Sequence, residues 1–343
     1  MLRIRRITDP HEWDEFVSSL PFSPMTQAYA YGSFYGTMGE EFFIAGCYEN
    51  EQLVGGALVI VIRAKRGSYF YLPYGPLART HERFPEILHT ITTHLVDEAR
   101  VQKVSCIRIS PFIDIQLGHD IHLPKLGYQK APIHALAETT CLLDITRTEE
   151  ELLARMNKNH RNLIRRCQKE GVTITSFTSH EQLAEFHKLH SFTAKKHHFV
   201  RFSDQYVERE FQAFEKEKQA VVFYAHLPDG TLDSGAVVYY YGTTAAYRHG
   251  ASLGKNSKIP TPYLIQWSAI QEAKRRGMQW YNFWGIAPDN AKQNHPFKGI
   301  THFKKGFGGI VQELIECHDL IIDPWRYYPM RIFETIRKIK RGF

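Results

Sequence analysis

The stretch Phe303-Lys304-Lys305-Gly306-Phe307-Gly308-Gly309 holds the residues best suited to chemistry in this 343-residue chain. A lysine beside an aromatic, with glycines close behind it, can present a fixed positive charge to a bound substrate. Such a role is positional and electrostatic. The run leading to it, Tyr281-Asn282-Phe283-Trp284, has β character and ends at Gly285. Lys304 is therefore expected on a glycine-rich turn near the last strand of its domain. Other groupings are weaker. His187, His190, His197 and His198 cluster in sequence, but no HExxH or cysteine partner completes a zinc set, so packed or exposed histidines are expected. The sequence has no GxSxG elbow, Walker-type loop or GxGxxG loop. No metal and no organic cofactor is implied.

The elements that must hold these residues are written twice. Phe42 to Val61 and Val221 to Tyr240 both read as strand, polar turn, strand, and Leu53–Val59 overlays Leu232–Val238. The turns Glu49-Asn50-Glu51 and Pro228-Asp229-Gly230 are both hairpin chemistry. An amphipathic helix near Phe84 to Val101 leads into the strand Ser105–Ile109. A second, near Tyr263 to Arg276, leads into Trp280–Trp284, with Leu264, Trp267, Ile270 and Ala273 on one face. Hairpin, helix and strand in the same order twice predict two α/β domains of one type, each a mixed sheet flanked by helices. The first is expected over 1–145 plus 312–343, the second over 146–311. The second should open with a helix from Glu149 to Gly171, Thr146 and Glu149 forming its capping box. A last strand is expected over Ile310–Ile315.

Length favours two domains, and 43% hydrophobic with 13% aromatic residues is a globular composition. The five cysteines are scattered without a CxxC pair, and the N-terminus MLRIRRITDP lacks the apolar core of a signal peptide. No apolar stretch approaches the ~20 residues of a membrane span. These features read as a cytoplasmic protein with reduced thiols. Nothing asks for a second copy, so a monomer is expected. The net charge of +7 is uneven. Arg155 to Lys169 holds six bases and no acid. Arg326 to Phe343 holds six bases against Glu334 alone. Such clusters suit phosphate-rich partners, RNA or an anionic lipid surface.

Several blocks together resemble the FemAB or FemX family of peptidoglycan-bridge aminoacyltransferases. They are Gln27–Tyr35 (QAYAYGSFY), Tyr71–Pro76 (YLPYGP), Ile107–Pro111 (IRISP), Met156–Val172 (MNKNHRNLIRRCQKEGV), Thr193–Arg201 (TAKKHHFVR) and Phe303–Gly309 (FKKGFGG). The last is the family's most specific motif. The resemblance implies two tandem acyl-CoA N-acyltransferase-like (GNAT-like) domains. It implies transfer of an amino acid from aminoacyl-tRNA to an amine of a peptidoglycan precursor, UDP-linked or lipid-linked. Carried over, Lys304 is the residue that stabilises the transfer transition state, with Phe303 beside it. Arg201, Tyr206, Tyr247 and Tyr35 line the precursor site. Tyr35 stands where a lysine is expected, and Ser110 where some members carry aspartate. Arg161 and Arg165, at i, i+4, are the residues that would meet tRNA phosphates. The C-terminal helix, with Ile332, Phe333, Ile336 and Ile339 on one side, is expected to pack against the first domain; the alternative the pattern allows is peripheral contact with the inner face of the membrane.

Two rivals follow from the same residues. One is an N-acyltransferase using acyl-CoA or another activated acyl donor. Against acyl-CoA, Arg248-His249-Gly250-Ala251-Ser252 has the wrong spacing for a pyrophosphate-cradling [RQ]xxGx[GA] loop. The other is a muropeptide-binding relative without catalysis.

Overall fold

The computed structural model describes residues 2–64, 67–197, 199–291 and 297–341. His198, from the histidine cluster, lies outside the described residues. Two compact units emerge: Met1–Thr140 with Ala287–Lys298 and Gln312–Phe343, and Cys141–Ile286 with Gly299–Val311.

In the first unit the strands are β1 (Arg3–Ile7), β2 (Glu41–Glu49), β3 (Gln52–Ala64), β4 (Gly67–Tyr74), β5 (Leu77–Ala78), β6 (Cys106–Pro111) and β7 (Tyr128–Lys130). A second sheet is built from β8 (Thr139–Asp144), β9 (Thr173–Phe177), β10 (Ala220–His226), β11 (Leu232–Tyr241), β12 (Thr244–Ser252), β13 (Trp280–Gly285) and β14 (Ile310–Glu313). The last strand, β15 (His318–Ile321), returns to the first sheet between β6 and β7. The first sheet runs β1-β2-β3-β4-β6-β15-β7 with β5 on β3, and the second β14-β8-β13-β12-β11-β10-β9.

The duplication read from sequence is visible strand by strand. β2–β3–β4 is an antiparallel meander, and β6 joins β4 in parallel after the helix Phe84–Val101. β10–β11–β12 is likewise a meander, and β13 joins β12 in parallel after the helix Pro262–Arg275. A parallel neighbour needs a crossover, and each helix supplies it. Each helix starts with proline in its first turn, where the missing N–H costs nothing. On the first, Phe84, Ile87, Leu88, Ile91, Leu95 and Ala99 are buried at helical spacing against Phe43, Ala45 and Val59 of the sheet. The β2–β3 turn uses Asn50 and Glu51 at φ 46° and 61°, the two-residue hairpin geometry that matches strand twist.

The helix predicted over Glu149–Gly171 is two helices, Glu149–Arg155 and Lys158–Lys169. Its cap is Thr148 with Glu151, a full capping box, rather than Thr146 with Glu149. Thr146 is unavailable because both its backbone N–H and its hydroxyl donate to Asp144 Oδ1, at 3.0 and 2.6 Å. The break falls at Asn157, whose side chain caps the second helix and whose N–H donates to Gly306 O at 2.8 Å. The last strand predicted ends at Glu313, two residues early. All five cysteines are free and buried. Among the described residues no helix is long and apolar enough to cross a membrane.

Candidate active site

Lys304 is on a helix, Lys298–Lys305, not on the expected glycine-rich turn. The helix carries the side chain inward, where only 6% of the residue is exposed. Lys304 Nζ donates to Gly285 O at 2.7 Å and stands 5.7 Å from the centre of the Tyr247 ring. Burial pushes its ammonium down to about 7, far below the usual lysine range. At neutral pH this amine is thus divided between charged and neutral forms. That is the condition for a group that must both stabilise charge and exchange a proton. Burial also raises the Tyr247 phenol above its ordinary range, so the ring stays neutral.

The backbone that receives Lys304 is unusual. Trp284, just before Gly285, has φ 66°, a left-handed conformation that a bulky residue rarely adopts. Its N–H donates to Asn282 Oδ1 at 2.7 Å, with Asn282 itself buried. Strain of this kind persists only where surrounding structure holds it, and it gathers at functional sites. Here it turns β13 so that the Gly285 carbonyl meets the buried amine.

The other side of Lys304 is fixed by a histidine that the sequence reading passed over. His160 is fully buried, and its Nε2 lies 2.9 Å from Phe303 O. Burial lowers the imidazole's pKa, so the ring is neutral and must carry its proton on Nε2 to serve a carbonyl. The ring meets Tyr263 and Phe307 edge-on. This close approach explains Gly306: a Cβ there would lie 2.0 Å from His160 Cε1. Gly308, at φ 88°, makes the turn that follows. Gly306→Ala is expected to cost about 1–3 kcal/mol in urea denaturation through this overpacking, with kcat falling in parallel because His160 and Phe303 shift together.

A second constellation in the same unit joins residues distant in sequence. Glu210, fully buried, lies 3.1 Å from Arg248 Nε and 2.8 Å from His249 Nε2, and it accepts from Tyr239 Oη at 3.3 Å. Burial alone would raise its carboxyl, but Arg248 and His249 overcome that and hold it below its usual value. Arg248 is the extra residue of a β-bulge, since β11 pairs Val238 with Tyr247 and Val237 with His249. Its guanidinium lies over Trp284 at 4.8 Å and over Phe202 at 5.2 Å, and it donates to Tyr206 Oη at 3.5 Å. Arg248 thereby links the strained Trp284 to the Phe202–Tyr206 stack, whose centroids are 4.4 Å apart. A bulge is not visible in one sequence, which is why Arg248 and Glu210 were missed.

Arg201 pairs with Asp204 and donates to Phe202 O at 3.2 Å. It lines an open cleft of about 410 Å³ with His187, Lys188, Ser191, Phe192, Lys195 and Asp204. Beneath, burial first and then His249 and Arg201 push His190 down to about 3, so it is neutral. Of the histidine cluster, His187 lines this cleft, His190 is in the core and His197 is exposed. Among the described residues no group of His, Cys, Asp or Glu is placed to hold a metal ion.

Phe303, Lys304 and Tyr247 therefore come together, and Arg248 joins Tyr206 to the same strand end. Tyr35 belongs to the first unit, where its ring packs on Tyr31 and Phe34 at 5.4 and 4.9 Å. Arg161 is half-buried. Its Nη1 donates to the carbonyls of Leu153, Ala154 and Met156 at 3.1, 2.8 and 2.6 Å, closing the end of the preceding helix. Arg165 is exposed.

The FemAB family model matches residues 8–232 and 228–335 of the chain. A lipid II:glycine glycyltransferase of Staphylococcus aureus is 20% identical over 329 residues, covering 74% of this chain and 76% of that protein. The crystal structure of FemX superposes with a TM-score of 0.85 at 18% identity, covering 97% of this chain and all of that one. A tandem GNAT protein from the clavulanic acid biosynthesis pathway gives 0.57 at 12% identity over 94% of this chain and 99% of that one. At these identities the structural likenesses speak for the fold, which is two GNAT-like domains in tandem.

Proposed function

The chain belongs to the FemAB family, and from that premise we propose that it is an aminoacyltransferase. It moves an amino acid from aminoacyl-tRNA to an amine of a peptidoglycan-precursor stem peptide. The observation that carries this reading is the Lys304 amine, buried, tuned to about neutral pH and held on Gly285 O.

The chemistry needs little else. An aminoacyl ester is already activated. The neutral acceptor nitrogen attacks the ester carbon, and the carbonyl oxygen takes up negative charge. That attack forms the C–N bond; collapse restores the carbonyl, breaks the ester C–O bond and releases the tRNA ribose oxygen. The proton lost by nitrogen ends on that ribose oxygen. Holding two large substrates in register is worth ~7–11 kcal/mol, and a well-aimed donor to the oxyanion adds roughly 3–4 kcal/mol. A protonated lysine has three N–H bonds. Gly285 O accepts one and fixes the direction of the others.

The cleft at Arg201, with Lys188 and Lys195, has the charge to receive the precursor's phosphates once Asp204 yields its partner. Arg201→Ala is expected to raise the KM for the precursor about tenfold or more, the loss of one charge-assisted contact, with kcat little changed. Steady-state kinetics over a range of precursor concentrations checks this.

The deciding experiment incubates the protein with a pool of radiolabelled aminoacyl-tRNAs and with UDP-linked or lipid-linked precursors. Label arriving in the precursor supports the reading. Transfer from labelled acetyl-CoA instead would make the chain an acyl-CoA-dependent N-acyltransferase. Precursor binding without transfer from any charged tRNA would make it a non-catalytic muropeptide-binding protein.

A further inference from the structure

The C-terminal helix Pro324–Arg341 has two apolar faces, and only one is used by the fold. On the inner face Tyr327 and Met330 are buried with Cys106, against Tyr69 and Ile321. Glu334, on the same side, receives Arg108 Nη1 and Nη2 at 2.9 and 2.8 Å. The helix is thus pinned to the first unit by packing and by charge. On the outer face Trp325 is 90% exposed, Tyr328 51%, Ile332 61% and Ile336 48%.

At 3.6 residues per turn those four side chains form one stripe, opposite Tyr327, Met330 and Glu334 and ~16 Å long. Bases lie between the two faces, Arg326 and Arg337 on one side and Arg331 and Lys338 on the other; of these Arg326 also bonds Asp323 and Lys103 O, and Arg331 bonds Lys130 O and the Tyr327 hydroxyl. Among the described residues of the helix Glu334 is the only acid, and Arg108 takes it up. A surface helix of a water-soluble unit has no use for an exposed tryptophan and two isoleucines in line.

We propose that this outer stripe is a docking surface for an anionic lipid bilayer. Trp325, Tyr328, Ile332 and Ile336 enter the headgroup boundary, and the flanking bases meet lipid phosphates. Tryptophan and tyrosine favour that boundary, because one side of each ring is apolar and the other polar. A second copy of the chain fits worse, since pairing two such helices would bring basic flanks against each other. RNA fits worse as well, because phosphate binding leaves the isoleucines idle. The inference goes beyond the catalytic reading and does not depend on which acyl donor is used.

The test is sedimentation of the full chain with phosphatidylglycerol–phosphatidylcholine vesicles and with pure phosphatidylcholine vesicles, at low and high salt. Binding to the anionic vesicles is expected, weakening with salt. It should fall about tenfold or more in Trp325→Ala/Ile332→Ser through lost apolar burial, and comparably in Arg337→Glu/Lys338→Glu. The urea midpoint of the Trp325→Ala/Ile332→Ser variant should match the parent, because both side chains face away from the core. Failure of the parent to bind anionic vesicles would overturn the proposal. So would equal binding by the variants. An RNA mobility shift abolished by the charge variant, without vesicle binding, would reassign the surface to nucleic acid. A dimer lost on Trp325→Ala, again without vesicle binding, would reassign it to a second copy.

Discussion

Replacing Lys304 with methionine will lower kcat about 10²–10³-fold, the cost of removing one well-placed oxyanion donor, while the KM for the precursor stays nearly constant. The same substitution will leave the melting temperature equal or higher. The reason is linkage. The Lys304 ammonium loses its proton near pH 7 in the folded protein, but near 10.4 in an unfolded chain. Between those values the unfolded chain holds a proton that the folded chain does not, so stability of the parent rises with pH across that window. Below about 7 the full cost of burying the charge is present, and above about 10.4 it is gone. Methionine fills a similar volume and carries no charge. The variant's advantage in thermal melts should therefore be largest near pH 6–7 and shrink as pH rises. A marked fall in melting temperature near pH 7 would mean that the amine is structural.

The rate should titrate with the same group. If the protonated amine is what meets the oxyanion, kcat of the parent acquires a falling limb above pH about 7. The acceptor nitrogen must be neutral to attack, which adds a rising limb common to every variant. Lys304→Arg keeps a positive charge at all accessible pH values. Its residual activity should keep the rising limb and lose the falling one. A parent profile without a falling limb would point to the neutral amine as a base.

What the sequence could and could not disclose follows from how local each feature is. The paired hairpins, the helices at Phe84 and Pro262 and the strands after them were legible because each is set by short-range periodicity and turn residues. The third strand of each meander is less legible: β4 is a largely apolar and aromatic run with no alternation to read, and β12 is a mixed sequence whose alternation is broken by the bulge at Arg248. Lys304 was legible as a residue but not as a position. Phe303 to Gly309 looks like a turn because of its glycines, yet Gly306 is there to admit the His160 ring and Lys304 is helical. Glu210 and Arg248 were invisible for a different reason. A buried carboxylate is paired by residues far along the chain, and their meeting depends on a bulge that only the register between β11 and β12 reveals. The carbonyl contacts of Arg161 were not legible either, because a basic helix face offers no clue to which guanidinium bonds the carbonyls of its neighbour.

Arg108 offers a large stability effect from a single change. Its side chain is 1% exposed, and it binds Asp319 Oδ1 and Oδ2 at 2.7 and 2.8 Å as well as Glu334, with Tyr69 under the guanidinium at 4.9 Å. Asp319 is wholly buried, and its other partner is the Tyr327 hydroxyl at 3.0 Å. Arg108→Met would strand that carboxylate and is expected to cost about 3–5 kcal/mol in urea denaturation. The charge, not the volume, carries this cost. Adding Asp319→Asn and Glu334→Gln to Arg108→Met should therefore recover a large part of it. The consequence reaches the outer face of the C-terminal helix. With Glu334 released, Pro324–Arg341 keeps the packing of Tyr327 and Met330 and the bonds of Arg326 to Lys103 O and Arg331 to Lys130 O near its start, and limited proteolysis should cut in its later turns. Vesicle binding should then lose its single presented orientation and weaken in Arg108→Met, although no side chain of the exposed stripe has changed. Recovery of vesicle binding in the triple variant, alongside protease resistance, would show that the buried network acts by aiming the helix. Persistent loss after refolding is restored would show instead that Glu334 has a direct part at the surface.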